Sequence, residues 1–147
     1  MAIEIAKLID TEKVILISSV KTRFDLPFYL RFAGSLPLHR HIPIGLFKTV
    51  NPLTYWFFGT KKSDERELLK AIITDTDSQF LKWAIACILT WNNEHVLTNL
   101  IHIHGSHDRI FPFRTANFKI ADGGHLMIVD KADKITTILN AAIPAAN

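Results

Sequence analysis

Leu100-Ile101-His102-Ile103-His104-Gly105-Ser106-His107-Asp108 reads as a strand that runs into a polar loop and ends on a carboxylate. Leucine and β-branched isoleucine dominate its first half, and Gly105 marks where extended chain gives way to a turn. A second segment repeats the plan: residues 117–121 form a short strand, followed by Asp122-Gly123-Gly124-His125. A third, Lys13-Val14-Ile15-Leu16-Ile17-Ser18-Ser19, is a continuous apolar run of the kind found in strands covered on both faces. In an open α/β sheet the loops at the carboxyl ends of the strands gather along one edge. Asp108 and His125 are therefore the candidate catalytic residues, one carboxylate and one imidazole delivered by consecutive strands.

Helices are expected around these strands. Ile5 and Ile9, four apart, with Ala2 and Leu8 beside them, predict an amphipathic helix over residues 1–9. Residues 24–95 turn aromatic and helical, and Pro27, Pro37, Pro43 and Pro52 cut the first half into short pieces. Ser63 is expected to cap a helix to about Ile73, with Asp64, Glu65 and Glu67 near its positive end. Asp77 or Ser78 starts another, with Phe80, Trp83, Ala84 and Cys87 on one face, ending near Trp91 and Asn92. A last helix over residues 131–142 turns Ile135, Ile138 and Leu139 inward. The order places the chain in the α/β class as one compact domain. Residues 1–22 and 96–147 make a core of about three parallel strands closed by a C-terminal helix, and residues 23–95 are a helical insertion between them. Between the second and third strands there is no room for a full helix, so residues 109–116 must run back largely extended, at about 3.3 Å per residue.

Composition removes several function classes. With 48% hydrophobic and 21% charged residues the chain is an ordinary globular one, not a disordered one. Its net charge of +3 comes from scattered lysines and arginines with no run longer than Lys61-Lys62, which argues against a nucleic-acid partner. Glu4, Lys7 and Asp10 interrupt any signal-peptide core at the start, and no apolar run approaches the roughly eighteen residues that span a bilayer. A soluble protein of the reducing cytoplasm is expected, without a membrane partner. Cys87, the lone cysteine, sits in an apolar run and reads as a small buried hydrophobe.

His104-Gly105-Ser106-His107-Asp108 followed by Gly123-Gly124-His125 resembles the C-terminal portion of α/β-hydrolase-fold proteins. In that family a strand ending in His-Gly-x-x-Asp supplies the acid of a catalytic triad, and Gly-Gly-His supplies the base. Val14-Ile15-Leu16-Ile17-Ser18-Ser19 likewise resembles the strand that follows the nucleophile helix, so the resemblance covers essentially the whole chain. It implies that residues 23–95 are a cap between the sixth and seventh strands of the family's sheet. It further implies that Asp108 orients His125, that His125 exchanges a proton with a serine, and that no cofactor or metal takes part. Gly123 and Gly124 are expected to supply the tight turn that aims the ring.

The chain departs from the family pattern twice. Only seventeen positions separate acid from base, where the family usually fits a helix. Nor does Ser18, Ser19, Ser35, Ser63, Ser78 or Ser106 stand in the Gly-x-Ser-x-Gly turn that exposes a nucleophile. Met1-Ala2-Ile3-Glu4-Ile5-Ala6 fits the helix after that turn, so the expectation is an N-terminally truncated relative that lacks nucleophile, oxyanion hole and five strands. The expected function is that of a fragment of a serine-type hydrolase of esters or related small molecules, inactive alone.

Two other classes compete. One is a non-catalytic oligomeric or ligand-binding protein built on the same half-fold. The other is a metal-dependent hydrolase using His102, His104, His107 and Asp108, or the His39-x-His41 pair. Tyr55-Trp56-Phe57-Phe58, with Trp83 and Trp91, would line a pocket for a small apolar or ester-like molecule, or else pack helices. A homo-oligomer joined through the open edge of the first strand is expected, because unpaired apolar edges seek partners.

Overall fold

Three parallel strands, β1 (Val14–Ile17), β2 (Leu100–Gly105) and β3 (Phe118–Ile120), lie side by side in that order. They belong to a computed structural model that describes residues 1–36, 45 and 48–143. Val14 faces Leu100 and Ile17 faces Ile103 in one ladder, and Ile103 faces Phe118 in the other. This register sorts β2 by alternation. Ile103 goes to one face, where it is buried with Ile120, Met127 and Ile135, while Ile17, Ile101, Ile138 and Leu139 pack around them. His102 and His104 go to the other face and are also buried.

Helices flank the strands in chain order. Before the sheet comes α1 (Ala2–Ala6), shorter than the nine residues the periodicity suggests. Between β1 and β2 lie α2 (Phe28–Ser35), α3 (Pro52–Phe58), α4 (Ser63–Asp75) and α5 (Ser78–Thr90), with α2 packed against α5. After β3 come α6 (Met127–Asp130) and α7 (Ala132–Ala142), and α7 presents Ile135, Ile138 and Leu139 to the sheet as its spacing predicts. Residues 109–117 return from β2 to β3 without a helix. No helix among the described residues is long and apolar enough to cross a membrane.

Three local expectations are corrected. Cys87 is exposed, not buried, and so are Phe80 and Trp83. The half-buried stripe of α5 runs instead through Leu81, Ala84, Ile85 and Leu89, because α2 approaches that side. Ser63 does not cap α4. Its first turn is tied by buried Glu65, whose Oε2 accepts from the backbone N–H of Lys61 at 2.8 Å and of Lys62 at 3.2 Å. Asp77 caps α5 as expected, accepting from the N–H of Phe80 at 2.8 Å. Pro37, Pro43, His39 and His41 lie outside the described residues.

Candidate active site

Gly105 ends β2 and lies hard against Gly123, so that a Cβ on Gly105 would run into the Gly123 carbonyl. This close approach lets the two loops interlock. Ser106 N–H donates to the Ile120 carbonyl at 2.9 Å, His107 N–H donates to the Gly123 carbonyl at 2.9 Å, and Asp122 N–H donates to Ser106 Oγ at 2.9 Å. The glycines of the second loop therefore act differently from the expectation. Neither Gly123 nor Gly124 has a positive φ; the left-handed residue there is Asp122, at φ 59. What they provide is absence of bulk, Gly123 toward Gly105 and Gly124 toward Gly59.

The interlocked loops bring Asp108 and His125 together. Asp108 Oδ2 lies 2.9 Å from His125 Nδ1. The carboxylate is held from the other side as well, since Oδ1 accepts from the backbone N–H of Ile110 and of Phe111, each at 2.9 Å. Its side chain is 0% exposed. A buried carboxyl group needs such partners to offset its desolvation, and these three fix its plane. One oxygen of Asp108 thus caps the turn into Ile110 and Phe111 while the other meets the ring. Arg109 turns away from it, donating to the Trp56 carbonyl at 2.8 Å.

His125 sits between two aromatic rings, Phe58 from α3 at 5.5 Å and Phe111 at 5.4 Å, both edge-on. The Leu126 N–H donates to the Phe58 carbonyl at 3.2 Å, which ties the base loop to the end of α3. With Nδ1 directed at the carboxylate, Nδ1 is the donor and Nε2 carries the lone pair. That nitrogen makes no hydrogen bond among the described residues, and the side chain is 21% exposed. An accessible, oriented basic nitrogen can take a proton from a hydroxyl or from water. No serine or threonine hydroxyl among the described residues bonds to it.

Behind the carboxylate runs a second line of contacts, made by His102 and His104, whose sequence pattern is open to reading as strand residues or as metal ligands. His104 Nε2 lies 2.7 Å from the Phe111 carbonyl and 3.5 Å from Asp108 Oδ2, so it is the donor and His104 Nδ1 the acceptor. His102 Nε2 lies 2.9 Å from the Ser19 carbonyl and 3.1 Å from His104 Nδ1, which assigns its proton to Nε2 also. Burial, followed by the charge of neighbouring His104, holds His102 below the ordinary imidazole range. Period-two spacing puts His102 and His104 on one face. The contact with Asp108 needs the turn after Gly105, which local sequence does not specify.

These contacts point the two imidazoles at carbonyls and at each other. No three His, Cys, Asp or Glu side chains among the described residues are placed to hold a metal ion. Ser19, on the correct edge for a substitute hydroxyl, contributes its carbonyl to His102. Beside it Ser18 takes a left-handed φ of 49, and its buried Oγ has no partner. Of the aromatic segment 55–58, Phe58 contacts His125, and Tyr55 and Trp56 line a cavity next to it. Trp83 is exposed, and Trp91 donates to Glu4 at 2.8 Å.

No protein-family model matches the chain, and neither a curated protein nor a solved structure matches it.

Proposed function

We propose that Asp108 and His125 are the acid and base of a serine-hydrolase-type site of the α/β-hydrolase kind, with residues 23–95 as its cap and α7 as its C-terminal helix. The observation that carries this reading is the 2.9 Å contact from a buried, triply held carboxylate to Nδ1 of an imidazole whose Nε2 is free. The order of acid and then base on consecutive parallel strands supports it, as does their meeting at one sheet edge. In such a site Asp108 fixes the tautomer and stabilises the imidazolium. His125 takes the proton from the attacking hydroxyl and returns it to the leaving group. The hydroxyl comes from outside the described residues, and the chain by itself is expected to be inactive toward esters. Small esters or related molecules are the substrates, and exposed, unpaired Cys87 fits a reducing cytoplasmic setting.

The test is to read the codons upstream of Met1 for an in-frame Gly-x-Ser-x-Gly and to assay the product that carries it on short-chain p-nitrophenyl esters. Hydrolysis should fall about 10⁴-fold in Asp108→Asn, which leaves the ring in the wrong tautomer. The 147-residue chain should stay at background. An active product indifferent to both Asp108→Asn and His125→Ala would contradict the proposal.

A further inference from the structure

Along α3 and the start of α4 lies a half-open cavity of about 460 Å³, with Arg109, the residue after Asp108, in its wall. That is in the range of small-molecule sites, roughly 300 to 1,000 Å³. Three cations line it: Lys61, Arg66 and Arg109. No carboxylate does, and none of the three makes an ion pair among the described residues. Of the acids adjacent to the two arginines in sequence, Glu65 accepts from the backbone of Lys61 and Lys62, and Asp108 is held by Ile110, Phe111 and His125. Three like charges on one wall repel each other, and an anion between them removes that cost.

The two guanidinium groups are also prepared for such a ligand. Arg66 lies over the Tyr55 ring at 5.3 Å and Arg109 over the Trp56 ring at 4.5 Å, with one Arg109 nitrogen anchored to the Trp56 carbonyl. Stacking on an aromatic face orients the plane of the fork and leaves its remaining N–H groups at the edge. There they suit the paired oxygens of a carboxylate or phosphate. Tyr55 and Trp56 give the same cavity apolar walls for a flat or aliphatic body. The wall also adjoins the catalytic loops, since Arg109 directly follows Asp108 and Gly59, at φ 78, abuts Gly124 just before His125.

We infer that this cavity binds the anionic end of the substrate, a compact oxyanion on an apolar or aromatic body, and so selects esters that carry a carboxylate or phosphate. The selectivity rests on the hydrolase reading, but the binding does not, and the experiment separates the two. The protein is titrated by calorimetry, with ¹H–¹⁵N chemical shifts to locate binding, using four probes: benzoate, phenyl phosphate, inorganic phosphate and neutral benzamide. Benzoate or phenyl phosphate should bind at least about tenfold more tightly than benzamide, with shifts at Tyr55, Trp56 and Arg109. Their ranking against inorganic phosphate tells carboxylate from phosphate as the preferred anion. Arg66→Gln and Arg109→Gln should each weaken binding by about tenfold, the loss of one charge-assisted contact. His125→Ala should leave it unchanged. Equal binding of benzamide and benzoate, no binding of either aromatic anion, or binding indifferent to both arginine substitutions would overturn the inference while leaving the acid–base pair untouched. Anion binding in a serine-bearing longer product whose ester hydrolysis is indifferent to Asp108→Asn and His125→Ala would instead count against the hydrolase reading alone.

Discussion

His102 shows how a buried neutral imidazole makes stability depend on pH. Desolvation lowers its pKa below the ordinary 6.5, the charges of His104 and Lys21 act in the same direction, and the Ser19 carbonyl and Asp25 oppose them. The unfolded chain then binds more protons than the folded one between the two pKa values. Stability from this group is complete above about pH 6.5 and is lost as pH falls through the folded value. The melting temperature should therefore drop between about pH 7.5 and pH 5, and the drop should be smaller in His102→Gln, which can still donate to Ser19 without charging. Parallel melting curves for the two proteins would show that His102 carries none of the dependence.

At the scale of elements, the seam between the β2 and β3 loops holds the site. Its three hydrogen bonds and the Gly105–Gly123 approach join the two loops directly. Gly105→Ala places a methyl group on a backbone carbonyl that has no freedom to yield. It should cost about 1–3 kcal/mol in urea denaturation, the usual penalty for overpacking, and should part Asp108 from His125. A substitution within about 0.5 kcal/mol of the parent would mean the seam is slack. Strands β1 and β2 were legible because β-branched apolar residues over four to six positions leave few alternatives, and α7 because Ile135, Ile138 and Leu139 share one stripe. Asp108 and His125 were legible from their place after those strands. The inward face of α5 was not, since an all-round apolar helix such as residues 78–90 carries no signal for which side meets α2. Nor were Phe58, Phe111 and the inner histidines legible as neighbours of the pair. Their meeting depends on how α3 and the return loop fold over the sheet, and no local periodicity encodes that.

At the scale of the whole molecule, β1 pairs only with β2 among the described residues, which leaves one side of an apolar strand unpaired. The segment leading into it exposes several large apolar side chains among its charged ones, with Met1 73%, Leu8 84% and Ile9 56% accessible. An open ladder edge together with exposed large apolar groups favours a second copy of the same chain. We expect a dimer or larger species by size-exclusion chromatography with light scattering at low micromolar concentration, and Ile9→Lys should shift it toward monomer. A clean 16.7 kDa monomer would contradict this expectation.

The central claim is that the buried Asp108 carboxylate fixes the His125 ring, and long-range ¹H–¹⁵N correlation spectra of the histidine side chains test it most directly. In its neutral form the His125 ring should carry its proton on Nδ1, and Asp108→Asn, which places an amide donor opposite Nδ1, should reverse that assignment. A ring already protonated on Nε2 in the parent protein, or one whose tautomer ignores the substitution, would contradict it.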